Sequence, residues 1–179
     1  NPVSWQKIAR EADVDVKTVQ AYVDLFTDAH LFLVVHRWDD GTLARRADKK
    51  IYPIDPLIAG LATAVNRRER FVPSLTLMAE SLLGVALFRT TETEAFTSFG
   101  VQHGVLYYRT GSNREVDFLV GADRFPFESK YAESVDRRDT QVIEQAFGRG
   151  VVGTRRTLNL DGKTALIPSA FILALLNYR

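Results

Sequence analysis

Apolar residues recur at Trp5, Ile8, Ala9 and Ala12, the i, i+3, i+4, i+7 spacing that predicts an amphipathic helix over 5–12. A turn at Asp13-Val14-Asp15 leads into residues 16–30, where Val19, Val23 and Phe26 repeat on one face, flanked by Tyr22 and Leu25. The pattern then becomes β-rich over 31–37, turns at Asp39-Asp40-Gly41 and returns over 43–52. Helix, tight turn, helix and hairpin together predict a winged helix-turn-helix over residues 1–54.

Asp55 before Pro56 reads as an N-cap with proline at the first helical position. It opens a linker helix over 55–72 through Leu57, Ile58, Leu61 and Val65. The charged run Asn66 to Arg70, NRRER, marks the domain junction. A second domain, 73–179, begins with a helix over 73–88 whose expected inward residues are Leu75, Met78, Leu82, Val85 and Ala86 or Leu87. Residues 90–100 are polar with aromatic insertions and show no firm period. Residues 105–109 read as a strand. Residues 136–147 have helical spacing through Val142, Ile143, Ala146 and Phe147, with Gly148 and Gly150 as terminators. A short strand over 151–154, a turn at Asp161-Gly162 and an apolar helix over 170–176 close the domain. The fold class expected is α/β (α+β) with a mixed sheet.

The chemistry concentrates in YYRTGSNREVDFLVGADRFPFESKY, residues 107–131. Strand, four-residue turn at Gly121 to Arg124 and returning strand set Val120 opposite Phe125, and therefore Asp117 opposite Glu128. Opposed like charges cost free energy unless a partner compensates, and a divalent cation such as Mg²⁺, which takes carboxylate oxygens, is one such partner. Lys130, on the same face, would orient or polarise a water or a phosphate oxygen. Glu115, one step from Asp117, is expected to pair with Lys130 or Arg109, and Gln141 is expected to face solvent, with the site as the alternative. Without the spacing, the same three side chains read as a solvated cross-strand arrangement neutralised by Lys130.

Asp117, then Glu128-Ser129-Lys130 across a hairpin, resembles the D…(D/E)xK signature of the PD-(D/E)XK nuclease-like fold. EVDF at Glu115 to Phe118, with Tyr107-Tyr108-Arg109 before it and ExK after it, resembles the C-terminal domain of unknown function of prokaryotic AAA-type ATPases. VKTVQAYVDLFTDAHLF and Lys50, Tyr52 and Asp55 in a K-x-Y-x-x-D stretch extend that likeness to the first domain. The resemblance implies that Glu80, on the helix before the first core strand, is a third metal ligand and catalytic acid beside Asp117 and Glu128. Ser81 stands where the family has asparagine. It also implies an ATPase domain before residue 1. No G-x-x-x-x-G-K-[ST] occurs here, so ATP binding through a Walker loop would belong to that domain alone.

A second set of candidates lies in the first domain. Lys17, Thr18 and Gln20 would face a DNA groove, and Arg45, Arg46, Lys49 and Lys50 would sit on phosphates. Asp13, Asp15, Asp24, Asp28, Asp39 and Asp40 surround these cations, so protein docking stays open as the alternative. The net charge of +1 requires any nucleic-acid surface to be a local patch, for which the doublets Arg67-Arg68, Arg137-Arg138 and Arg155-Arg156 are candidates. The absence of cysteine excludes disulfides and thiolate zinc sites and fits a cytoplasmic location; His30, His36 and His103 lack ligand spacing. The apolar run 165–176 is too short to span a bilayer. Two functions follow as expectations: a Mg²⁺-dependent DNA phosphodiesterase, or the same fold with an idle site that binds DNA or protein and regulates the ATPase.

Overall fold

The structure is a computed structural model that describes residues 2–39, 41–58, 60, 73–95 and 104–177. The chain is mixed α/β and divides into two compact units, Asn1–Pro73 and Ser74–Arg179.

In the first unit, α1 (Trp5–Ala12) starts at Ser4, whose side chain accepts the Lys7 N–H, and stops at Asp13 in the left-handed region. Asp15 caps α2 (Val16–Asp28) by accepting the Thr18 N–H. The two helices bury Ala9, Val19 and Val23, with Trp5, Ile8, Val16 and Val34 packed around them. α2 ends two residues before the expected boundary because His30 turns into positive φ.

β1 (Phe32–Asp39) pairs antiparallel with two separate strands. Its far end meets β2 (Thr42–Ala44), and its beginning meets β3 (Lys50–Pro53). The single return strand expected over 43–52 is therefore broken. The physical reason is the turn between the pieces, which Lys49 holds: its Nζ donates to the carbonyls of Arg45 (2.7 Å) and Ala47 (2.6 Å) and lies 5.2 Å from the centre of the Trp5 ring. Asp55 accepts the Leu57 N–H at 2.8 Å, and the chain is helical at residues 56–58 and 60. The expected continuation through Leu61 and Val65, and the charged stretch at 66–70, lie outside the described residues.

The second unit has a five-stranded mixed sheet in the order β4 (Leu106–Arg109), β5 (Glu115–Val120), β6 (Phe125–Lys130), β7 (Gly150–Thr154), β8 (Thr164–Pro168). The β4–β5 and β5–β6 pairs are antiparallel, whereas β6, β7 and β8 run parallel. On one face lies α3 (Leu75–Ala95), where Gly84 lets the helix close on Phe118: a Cβ at Gly84 would lie 2.7 Å from the ring. α5 (Ser169–Leu176) lies on the same face, with Ser169 and Ile172 against Gly153. On the other face lies α4 (Arg137–Phe147), whose Ile143 meets Gly150 and Pro126.

Two sequence expectations change here. α3 runs on to Ala95, and it buries Ala79, Leu83, Val85, Ala86 and Leu87 while Leu75 is 64% exposed and Leu82 also reaches solvent. From Leu75 to Phe88 apolar residues fall on nearly every side, so periodicity did not select a face; the close approach at Gly84 did. Gly148, at φ +78, ends α4 as expected, but Gly150 belongs to β7.

Candidate functional site

The turn at Gly121 to Arg124 fixes the hairpin. Gly121 and Arg124 both take positive φ, and the Arg124 guanidinium donates to the Gly121 carbonyl at 2.7 Å. The resulting register is Val120↔Phe125, Leu119↔Pro126 and Phe118↔Phe127; beyond it β5 shifts register against β4 between Val116 and Leu119, and Asp117 and Glu128 are joined through side-chain bonds instead of ladder pairing. Phe118 faces α3, and Leu119, Pro126, Glu128 and Lys130 alternate to the opposite side, toward α4, where the Asp117 charge also acts on Lys130. The group lies at the carboxyl end of β6, beside the start of α4.

Asp117 is 7% exposed, and Glu128 is half-buried. Each carboxylate accepts an N–H from the other strand: Asp117 Oδ2 from Ser129 at 2.9 Å, and Glu128 Oε2 from Asp117 at 3.0 Å. These bonds hold the two acids in adjacent places and offset part of the cost of removing them from water.

Lys130 Nζ lies 2.9 Å from Asp139 Oδ1 on α4. The hydrogen bond to Asp139 raises the Lys130 pKa; burial opposes the rise, and the charges of Asp139, Glu128 and Asp117 add to it. Burial pushes the Asp139 carboxyl up, but the bonds from Lys130 and the Asp136 N–H outweigh it and leave the pKa below its ordinary value. Asp139 thus has one oxygen on Lys130 and the other on the Asp136 N–H (2.9 Å), the capping box that starts α4. Asp139 was missed in the sequence, although the Asp136-x-x-Asp139 spacing at a helix start was a usable signal.

The linkage signs set a pH window. Stability from Asp139 is present above 3.8 and lost as pH falls through its lower folded value; that from Lys130 is present below 10.5 and lost as pH rises through its raised value. Asp139→Asn is therefore expected to destabilise the protein by a constant amount between about pH 5 and about pH 9, with the difference from wild type shrinking outside the window. Urea unfolding across that range measures it; a difference that changes steadily from pH 5 to 9 would break the assignment.

Glu80 is half-buried on α3, the helix on the Phe118 face. Among the described residues no three His, Asp or Glu side chains gather as metal ligands, so the three-acid group implied by the resemblance is not assembled. Glu115 stands opposite Arg109 in the sheet, and its Oε2 is buried without a hydrogen bond; the pairing of Lys130 is with Asp139 instead. Gln141 is half-buried rather than simply solvent-facing, and its Oε1 accepts from the Arg114 guanidinium at 3.1 Å.

The nucleic-acid candidates of the first unit divide. Lys17, Gln20, Arg45 and Arg46 are exposed. Thr18 donates its hydroxyl to Asp15 at 2.7 Å and so belongs to the helix cap. Lys49 and Lys50 are 5% and 3% exposed, which corrects their expected place on phosphates: burial beneath Trp5 and the turn carbonyls makes Lys49 part of the core. Burial, then the nearby Lys49 and Arg45 charges, push the His36 pKa down.

Residues 1–70 match a family described as a domain of unknown function (DUF8612), so this part of the chain, nearly the whole first unit, is similar to that family. No curated protein and no solved structure matches the chain. No helix among the described residues is long and apolar enough to cross a membrane.

Proposed function

We propose that the second unit is a PD-(D/E)XK nuclease-like module that cleaves DNA phosphodiesters with a divalent cation, and that the first unit is its winged helix-turn-helix. In this reading the chain is the C-terminal module of an AAA-type ATPase. The observation that carries the reading is the closeness of Asp117 and Glu128 to Lys130, whose ammonium feels both charges, near the carboxyl end of β6, where open α/β sheets bind ligands.

The donor set fits Mg²⁺, which commonly takes one or two carboxylates and completes its shell with water and substrate phosphate. Asp117 and Glu128 would hold it. When bound, it would supply polarisation of a phosphoryl oxygen and a nucleophilic water near neutral pH. Lys130, its ammonium aimed by Asp139, stabilises charge that develops on the phosphate oxygens. Glu80, implied by the resemblance alone, is not needed for this set.

A second reading, the same fold with an idle site regulating the ATPase through DNA or protein contacts, is favoured by one observation. Both acids already accept backbone N–H groups across the hairpin. Cleavage of supercoiled plasmid in Mg²⁺ separates the two. We expect nicking that is abolished by EDTA and reduced about 100-fold in Lys130→Met, the size of effect seen when one transition-state donor is removed; no nicking by the wild type at any Mg²⁺ or Mn²⁺ concentration favours the idle module.

A further inference from the structure

Along α4, the helix that also sends Asp139 to Lys130, an open cleft of about 520 Å³ is lined by Arg137, Arg138, Gln141, Glu144, Gln145 and Lys163. Three cations against one carboxylate give the lining a local excess of two positive charges, in a protein whose net charge is only +1. Its walls come from α4 and from the segment before β8, where the Lys163 carbonyl accepts the Gly150 N–H at 3.3 Å.

One helix serves both places. α4 sends Asp139 to Lys130 and Val142 and Ile143 into the core, and it turns Arg137, Gln141 and Glu144 to the cleft. Gln141 then joins the cleft to Arg114, an exposed guanidinium immediately before Glu115 and β5. A track of cations and amides therefore runs from Lys163 and the α4 arginines to the strand that carries Asp117.

We propose that this cleft is a binding site for the phosphodiester backbone of DNA, leading a strand toward Asp117, Glu128 and Lys130. Arginine suits the ligand because its planar fork of donors matches phosphate oxygens in pairs, and Lys163 adds a mobile point charge. From Arg137 to Gln145 the helix rises ~12 Å, the length of about three to four nucleotide rises along a duplex axis. Gln141 and Gln145 supply neutral donors that add no repulsion between neighbouring cations. The assignment rests on the nuclease-like reading for the identity of its ligand.

The test is fluorescence anisotropy of a labelled 20-base-pair duplex, with no divalent cation, titrated with wild type, Arg137→Gln/Arg138→Gln/Lys163→Gln and Arg156→Gln over a range of salt. Arg137, Arg138 and Lys163 are exposed, so the triple variant is expected to unfold at the wild-type temperature, which a melt checks. The triple variant should bind at least ten-fold more weakly and lose about three from the slope of log affinity against log salt. Arg156→Gln, an exposed cation outside the cleft lining, should bind close to wild type. Unchanged affinity and slope in the triple variant, or no binding by the wild type at about 50 mM salt, would overturn the proposal. Binding that depends on the cleft while plasmid nicking is absent would support the cleft and count against the nuclease reading, so the two can fail separately.

Discussion

Gly150→Ala is expected to destabilise the second unit by about 2–3 kcal/mol, the upper part of the range for overpacking a filled core. The added Cβ would lie 2.6 Å from Ile143 Cγ2, 2.7 Å from Pro126 Cγ and 2.9 Å from the Pro126 carbonyl oxygen. The first two neighbours are side chains of the α4 face, but the third is backbone of the adjacent parallel strand. Relief therefore requires β6 and β7 to separate. Ile143→Leu, which removes the Cγ2 methyl at equal volume, should restore part of the loss and leave the backbone contact in place. Gly111→Ala supplies the control, since a Cβ there meets nothing within 4 Å. In urea unfolding the midpoint should fall strongly for Gly150→Ala and hardly at all for Gly111→Ala; equal midpoints would mean that β6 and β7 pack more loosely than described. Because β6 carries Glu128 and Lys130, the same variant should also weaken any activity of the site.

That glycine shows where sequence reasoning reaches and where it stops. Gly148 and Gly150 both follow an amphipathic run, and both read as helix terminators; only the positive φ of Gly148 fits that role. Gly150 is glycine because α4 and β6 converge on it, a long-range demand with no local signature. The hairpin was legible for the opposite reason. Its register depends on a local four-residue turn, so the pairs from Val120↔Phe125 to Phe118↔Phe127 could be counted from the sequence; the register shift of β5 against β4 just beyond them could not. The face of α3 could not be counted, since from Leu75 to Phe88 its apolar residues fall on every side and leave no stripe to choose. Lys49 misled through its charge: a buried ammonium is tolerated where carbonyls from its own turn and an aromatic ring surround it, and residue type alone does not reveal that enclosure. Asp139 lay nine residues past Lys130, and only the fold brings the α4 start back over β6.

The central claim, that Asp117 and Glu128 hold a divalent cation, is reached by calorimetric titration of Mn²⁺ into the wild type and Asp117→Asn, each with and without a DNA duplex. Asparagine keeps a side-chain oxygen to accept the Ser129 N–H that Asp117 Oδ2 accepts now, so the hairpin should survive and the unfolding midpoint should stay close to wild type. What the substitution removes is charge. A hard cation loses one of two anionic ligands, and the affinity is expected to fall by two orders of magnitude or more, a loss of at least ~2.7 kcal/mol. Saturable binding by the wild type that disappears in a folded Asp117→Asn protein is the expected result. Wild-type protein that binds no Mn²⁺ even with DNA present, or a variant that binds it equally well, would contradict the site and leave the hairpin as a structural cross-strand arrangement.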